Sequence, residues 1–258
     1  MDLSVVTVTW NSAKYIADQI KSVVLSCQGL VYEQIIIDNA SSDDTVPIIV
    51  ENFPNVKLIK SETNLGFANG YNTAIKSATG KYFLYLNPDM RLVGSIAPLV
   101  DFVNNHPEVG IVSGQLVDEN KQINLAATPR RFPRWWEVVA IFFKLPHIFP
   151  NILNNYLYHD RDWSEIQAVD SVRGAFMLVR YELVNKLGFA FDPRYFLWWE
   201  DVDLCRETRR LGYQVVYNPV TVCIDHVGRS FSRRAWLKKQ WMFFGGVIKY
   251  FRKWRISN

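Results

Sequence analysis

Three times in its first 90 residues the chain repeats one device: a run of β-branched and apolar residues that stops at side chains able to hold a polar ligand. LSVVTVTW carries Thr9 near its end and is followed by Asn11. QIIID ends on Asp38 with Asn39 behind it, and KYFLYLN ends on Asn87, followed by Pro88 and Asp89. Helix-patterned segments lie between them: Ile16, Ile20, Val23 and Val24 share one face, Asp43–Asn52 and Ala68–Ser77 follow, and VKLIK adds a short strand. Strands alternating with helices demand a parallel sheet with right-handed crossovers. Runs apolar throughout suit strands covered on both faces. Ligands of such sheets bind beyond the carboxyl ends of the strands, which is where the polar residues fall.

The second half is less regular. VGIVSGQLVD, SVRGAFMLVR and YQVVYNP read as strands, ELVNKLG as a short helix, and WWEDVDLCRETRRLG as a longer one stopped by Gly212. Leu125 to Glu165 is rich in Pro, Trp, Phe and Tyr and carries no clear period. With 258 residues, 49% of them hydrophobic, the chain buries a full core as one large domain or two small ones. Its three cysteines, Cys27, Cys205 and Cys223, are odd in number and lack metal-ligand spacing, which suits buried thiols in a reducing cytosol. The strand-like start is unlike a signal peptide, and no apolar run is long enough to cross a bilayer.

Four pieces carry chemistry. In DNASSDDT, Asp38 is placed to accept the N–H of a pyrimidine ring, and the rest of the piece also reads as a capped turn. In NLGFANGYN, Gly66 and Gly70 allow close backbone approach, with Asn64 and Asn72 in reach of a base or ribose; a plain helix start fits the same spelling. LNPDM offers Asp89 to a divalent cation that also holds a diphosphate, while neutral Asn87 suits a ribose or a water. IDHVGRS offers His226 to the same metal, and Arg229 and Ser230 to phosphate oxygens.

Together, in this order and spacing, NLGFANGYN, YFLYLNPD, GAFMLVR, GFAFDPRYFLWWEDVDLCRETRRLGY and HVGRS resemble the family 2 glycosyltransferases. These are inverting enzymes of the nucleotide-diphospho-sugar transferase fold called GT-A, and the likeness is to their rhamnosyltransferase-like branch over residues 3–230. The resemblance implies an α/β GT-A domain over residues 1–231, with an open, mostly parallel sheet flanked by helices. Residues 1–115 would bind the nucleotide-sugar, residues 116–231 the acceptor. It also implies that Asp38 binds the base, that Thr9, Asn11 and Asn39 line the donor site, and that Asp89 and His226 hold Mg²⁺ or Mn²⁺ with the diphosphate. NPD, where the family has DxD, leaves one acidic ligand.

The resemblance makes Asp201 the base that takes the acceptor proton; Glu200 orients donor or acceptor, and a swap of the two roles stays open. An inverting transfer needs such a base and a cation on the leaving diphosphate. Trp198 and Trp199, with Arg173 and Gly174 beside the GAFMLVR block, are expected to wall the sugar from water. The donor of first choice is dTDP-L-rhamnose, with a UDP-hexose as the alternative. The expected acceptor is a lipid-linked or polysaccharide glycan, a polyprenyl-diphosphate-linked one first, in cell-surface polysaccharide synthesis. A non-catalytic sugar-nucleotide-binding protein is the other class, opposed by the intact base and metal positions.

The end of the chain differs from its body. From His226 onward stand nine Lys or Arg and no Asp or Glu, leaving 20 basic against 25 acidic residues before it. As a helix, Ser232–Arg255 gathers Trp236, Leu237, Trp241, Phe244, Ile248 and Phe251 near one stripe, with basic residues over the rest. That suits the surface of an anionic membrane, and places the enzyme in the cytoplasm, peripheral on the inner face of the cell membrane. A helix packed on the domain with a solvated basic face is the alternative. The acidic body speaks against nucleic acid as a partner. On this reading residues 232–258 are a membrane tail, and their removal spares transfer to a soluble acceptor.

Overall fold

The computed structural model describes residues 1–124, 128–226 and 236–255, with residues 236–240 described by their backbone. The first half follows the expected alternation: β1 (Leu3–Thr9), α1 (Ile16–Ser26), β2 (Tyr32–Asp38), α2 (Thr45–Asn52), β3 (Lys57–Lys60), α3 (Gly66–Ala74) and β4 (Tyr82–Leu86). Then come β5 (Met90–Val93), α4 (Ala97–Asn105), β6 (Val109–Val117) and α5 (Trp135–Phe142). The order ends with β7 (Gln167–Ala168), β8 (Phe176–Arg180), α6 (Tyr181–Leu187), α7 (Glu200–Arg210), β9 (Gln214–Asp225) and α8 (Trp236–Trp254).

One sheet joins these strands in the order β3-β2-β1-β4-β8-β6-β9-β5, with β7 on β9. The β3-β2-β1-β4 side is parallel, as the crossover rule requires. The second half is mixed: β8 runs antiparallel to both β4 and β6, and β5 antiparallel to β9. Register sets the site. Thr9 pairs with Asp38 across β1 and β2, so both polar ends rise to one height.

Side chains alternate across the sheet. Val6, Val8, Phe83 and Tyr85 enter the core layer that also takes in α3 and α7, and Leu3, Val5, Leu84 and Leu86 enter the layer under α4. Arg180, at the end of β8, is buried and spent on structure: its guanidinium donates to the carbonyls of Val109 (3.1 Å), Val103 (2.7 Å) and His106 (3.2 Å). It ties α4 to β6, and a buried charge so bonded is tolerated where a bare one is not.

Candidate active site

At the ends of β1, β2 and β4 four buried polar atoms find no hydrogen-bond partner: Thr9 Oγ1, Asp38 Oδ1, Asn39 Oδ1 and Asn87 Oδ1. Each such atom costs about 1–3 kcal/mol unless something else bonds it, so their gathering at one sheet edge marks where a polar ligand belongs. In two of these residues the other side-chain atom is fixed. Asp38 Oδ2 accepts from the Ser41 amide at 2.9 Å, and Asn39 Nδ2 donates to the Gly66 carbonyl at 2.9 Å. Asn11, in the left-handed region at φ 52°, accepts from the Ser42 amide through Oδ1 at 2.8 Å and so staples the β1 and β2 loops together.

The NLGFANGYN segment is mainly architectural. Asn64 Oδ1 caps the Gly66 amide at 2.9 Å. Gly66 has φ +82°, and a Cβ there would lie 2.6 Å from the Phe196 carbonyl oxygen, so only glycine lets α3 meet the segment before α7. Asn72 departs from its expected donor role. Its Nδ2 donates to the Phe191 carbonyl at 2.7 Å and its Oδ1 accepts from the Ala190 and Phe191 amides at 2.8 and 3.1 Å. An amide engaged at both ends is a strap between α3 and residues 190–191.

Asp89 lies between β4 and β5. Burial, and then the nearby Asp225 carboxylate, raise its carboxyl above the ordinary range, against the pull of His226 and Arg173. Asp225, at the end of β9, was assigned no role from the sequence, though it stands directly before His226. It is buried, 3.5 Å from Arg173 Nη1 and 3.3 Å from Asn124 Nδ2. Arg173 is therefore the ion-pair partner of this acidic end, where the sequence suggested a sugar wall. The His226 amide donates to the Asp89 carbonyl at 3.2 Å. Its ring stacks on Tyr15, and its Nδ1 lies 3.1 Å from Glu119 Oε1. Among the described residues no three His, Cys, Asp or Glu side chains form a ready-made metal cage. Yet two crowded carboxylates beside the partnerless Asn87 oxygen suit a divalent cation completed by phosphate oxygens. Arg229 and Ser230 lie outside the described residues.

The carboxylates expected to be catalytic stand at the start of α7. The helix begins at Glu200, two residues later than the pattern suggested, because Trp198 (φ 66°) and Trp199 (φ 75°) are both left-handed. For bulky residues this costs on the order of 1–3 kcal/mol each. The turn swings Glu200 inward, where it is 4% exposed and its Oε2 has no partner. Burial first, and then the Asp201 charge, push its carboxyl up to about 8. Asp201 is half-buried, and its Oδ2 accepts from the Gly174 amide at 3.1 Å. Tyr71, buried on α3, has its hydroxyl raised by burial, then by Asp89, with a smaller push from Glu200. The acidic end and the Glu200–Asp201 pair therefore share one neighbourhood.

Trp199 is buried away from the expected sugar wall, while Trp198 stays half-buried. Trp199 is 8% exposed, with its ring centroid 5.6 Å from that of Phe243, 5.3 Å from Tyr250 and 6.2 Å from Phe251, all on α8. Trp198 meets Phe243 edge-on at 6.1 Å. Both rings go to the C-terminal helix; it is their backbone turn that serves the carboxylates.

The site thus joins the polar ends of β1, β2 and β4, the acidic Asp89–Asp225 end, and the Glu200–Asp201 pair, with the neighbours Arg173 and Gly174 bonded to Asp225 and Asp201 in turn. The profile of the family described as "Glycosyl transferase family 2" matches residues 4–164. An N-acetylglucosaminyl-diphospho-decaprenol L-rhamnosyltransferase of Mycobacterium tuberculosis is 26% identical over 243 residues, covering 90% of this chain and 78% of the relative. Rhamnosyltransferase WbbL of Escherichia coli is 27% identical, covering 66% of this chain and 65% of its own. Among solved structures, a mannosyltransferase of Pyrobaculum calidifontis in complex with GDP-Man and Mn²⁺ superposes with a TM-score of 0.61 at 22% identity. The match covers 91% of this chain and 59% of that one. Staphylococcus aureus TarS in complex with UDP gives 0.60 at 18% identity, over 87% and 60%. The fold they share is GT-A. The chain belongs to glycosyl transferase family 2, in the GT-A fold.

Proposed function

We propose that the protein moves a sugar, L-rhamnose from dTDP-L-rhamnose in the first instance, onto a glycan carried by a polyprenyl diphosphate, with inversion at the anomeric carbon. The observation that carries this reading is the row of partnerless buried oxygens on Thr9, Asp38, Asn39 and Asn87, in the same site as the Glu200–Asp201 pair. The free Asp38 oxygen suits the ring N–H that thymine and uracil share, so the base alone does not choose between dTDP- and UDP-sugars. The mycobacterial relative's name, an L-rhamnosyltransferase acting on a diphospho-decaprenol acceptor, supports the choice of donor sugar and carrier.

In the reaction the acceptor hydroxyl oxygen bonds to the anomeric carbon as the bond from that carbon to the diphosphate breaks. The hydroxyl proton goes to Asp201, and the nucleoside diphosphate leaves. Asp201 is the better base because it reaches the site surface and is aimed by the Gly174 amide. Glu200, enclosed and holding its proton near neutral pH, is suited to orient a sugar hydroxyl. Asp89, Asn87, Asp225 and His226 are the residues that would hold Mg²⁺ or Mn²⁺. Such a cation, when bound, offsets charge on the leaving diphosphate. Arg173 is positioned to meet phosphate on the same side.

The exposed Trp135, Phe142, Phe143, Ile148, Phe149 and Trp241, with exposed Lys249 and Arg252 on α8, support a location at an anionic membrane surface, where the carrier lipid resides. Titration calorimetry of dTDP, UDP, GDP, dTDP-L-rhamnose and UDP-glucose, with Mn²⁺ and with EDTA, tests the reading. It expects dTDP-L-rhamnose to bind tightest and to lose affinity in EDTA. Equal affinity for GDP would refute the pyrimidine assignment, and no binding of any sugar nucleotide would refute the function.

A further inference from the structure

The C-terminal helix holds the most elaborate buried charge cluster of the described residues. Lys253 is 14% exposed and its ammonium meets three carboxylates: Asp203 at 2.7 Å, Glu207 at 2.8 Å and Asp192 at 3.1 Å. Two of these carboxylates sit on α7, the helix that carries Glu200 and Asp201. Asp203 is fully enclosed, and it also accepts from Trp254 Nε1 at 2.9 Å and from the Tyr195 hydroxyl at 3.3 Å. Asp192 is further bonded by Arg194. Burial alone would raise Asp192, but these bonds hold its carboxyl down to about 2. Lys249 Nζ donates to the Arg194 carbonyl at 2.6 Å, and Arg206 of α7 donates to the Tyr250 hydroxyl at 3.2 Å.

Above this cluster the same helix closes over the strained turn. Phe243, Tyr250 and Phe251 surround Trp199, and Gly246 lets the helix backbone reach it, since a Cβ at Gly246 would lie 2.6 Å from Trp199 Cδ1. Two successive left-handed tryptophans persist only where their surroundings over-determine them. The surroundings here are α8.

We infer that α8 is a clamp on the catalytic helix, and that Lys253 is a positioning residue whose bonds to Asp192, Asp203 and Glu207 fix the Trp198–Trp199 turn and so the aim of Glu200 and Asp201. The inference rests on the proposed transfer reaction for its kinetic consequence, but not for its structural one. A misplacement of about 1 Å at a reacting group is enough to cost on the order of 10²-fold in rate. Removal of residues 232–258 therefore abolishes transfer to a soluble acceptor as well as to a lipid-borne one, the reverse of what a membrane tail alone predicts.

The test compares Lys253→Met with Arg252→Gln, which removes the same charge from an exposed neighbour. Three readouts are taken: dTDP affinity, kcat for transfer to GlcNAc diphosphate on a short water-soluble isoprenyl chain, and hydrogen exchange of the 198–204 amides. Lys253→Met is expected to keep dTDP affinity within about twofold and lower kcat on the order of 10²-fold. The 198–204 amides exchange faster while those of β1, β2 and β4 stay protected. Arg252→Gln matches the wild type in all three. Gly246→Ala is the second variant, needed if Lys253→Met does not fold. Alanine favours a helix over glycine, so a loss of kcat with local exchange at 198–204 again supports the clamp. Exchange at 198–204 that stays at the wild-type rate in a folded variant overturns it, as does a rise shared by the whole sheet. Should the wild type turn over no nucleotide-sugar, the functional reading fails, and the exchange data still decide the clamp.

Discussion

Glu200 and Asp201 are neighbours in sequence with different surroundings, and that difference underlies the roles proposed for them. Glu200 is enclosed and its carboxyl sits near 8, from burial first and the adjacent Asp201 charge second. In the unfolded chain it ionises near about 4.3. The folded state therefore holds a proton that the unfolded state has released. The stability tied to this group is complete below about pH 4.3 and drains away as pH rises towards 8. Glutamine at 200 cannot ionise and abolishes the loss. The melting-temperature gap between Glu200→Gln and wild type should widen in favour of the variant from about pH 5 to pH 8, then level off. Differential scanning calorimetry across that range reads it, and a gap that shrinks with pH would show Glu200 to be stabilised as the anion. At the acidic end, Asp89→Ala and Asp225→Asn should each weaken dTDP binding in Mn²⁺ and change little in EDTA, because on the proposed reading both act through the cation. An equal loss under both conditions would make them structural.

Elements differ in how plainly the chain spells them. β1, β2 and β4 are legible because strands buried on both faces need unbroken apolar runs, and their polar stops betray the site. β5 is hidden: Met90–Val93 is four residues long and alternates buried and exposed against β9, a pattern too short to read alone. The second half of the sheet is mixed because β8 enters antiparallel between β4 and β6, a long-range choice that no local period records. α7 was legible as a helix, but its start was not, since the two left-handed tryptophans are held by α8, some 50 residues on. Lys253 looked like one more solvated cation in a basic run. Its partners Asp192, Asp203 and Glu207 lie 46 to 61 residues before it, beyond any spacing rule. Asn72 misled for the opposite reason: its side chain is polar and near the site, yet spent on residues 190–191.

At the scale of the molecule, α8 has two faces, one docked and one outward. Tyr250 and Trp254 are buried, each such side chain contributing about 1.5–3 kcal/mol to docking. Trp241 is 80% exposed, and the Phe142–Phe244 ring contact, with centroids 4.7 Å apart, joins this helix to the aromatic surface of α5. No described helix is long and apolar enough to cross a membrane. A docked helix with an outward aromatic and basic side can still rest on one. Basic residues near an anionic surface contribute about 1 kcal/mol each. Trp241→Ala with Phe143→Ala should therefore reduce sedimentation with anionic liposomes at low salt while transfer to a soluble acceptor stays at the wild-type level. Undiminished sedimentation would place the membrane contact elsewhere. All of these faces converge on one claim, that the turn held by α8 aims Asp201 at an acceptor hydroxyl. Single-turnover transfer from dTDP-L-rhamnose to GlcNAc-diphospho-polyprenol, measured beside donor affinity for wild type and Asp201→Asn, tests it most directly. Donor affinity within about twofold and a rate lower by about 10²–10⁴-fold is the predicted result; transfer by Asp201→Asn at the wild-type rate would contradict the account.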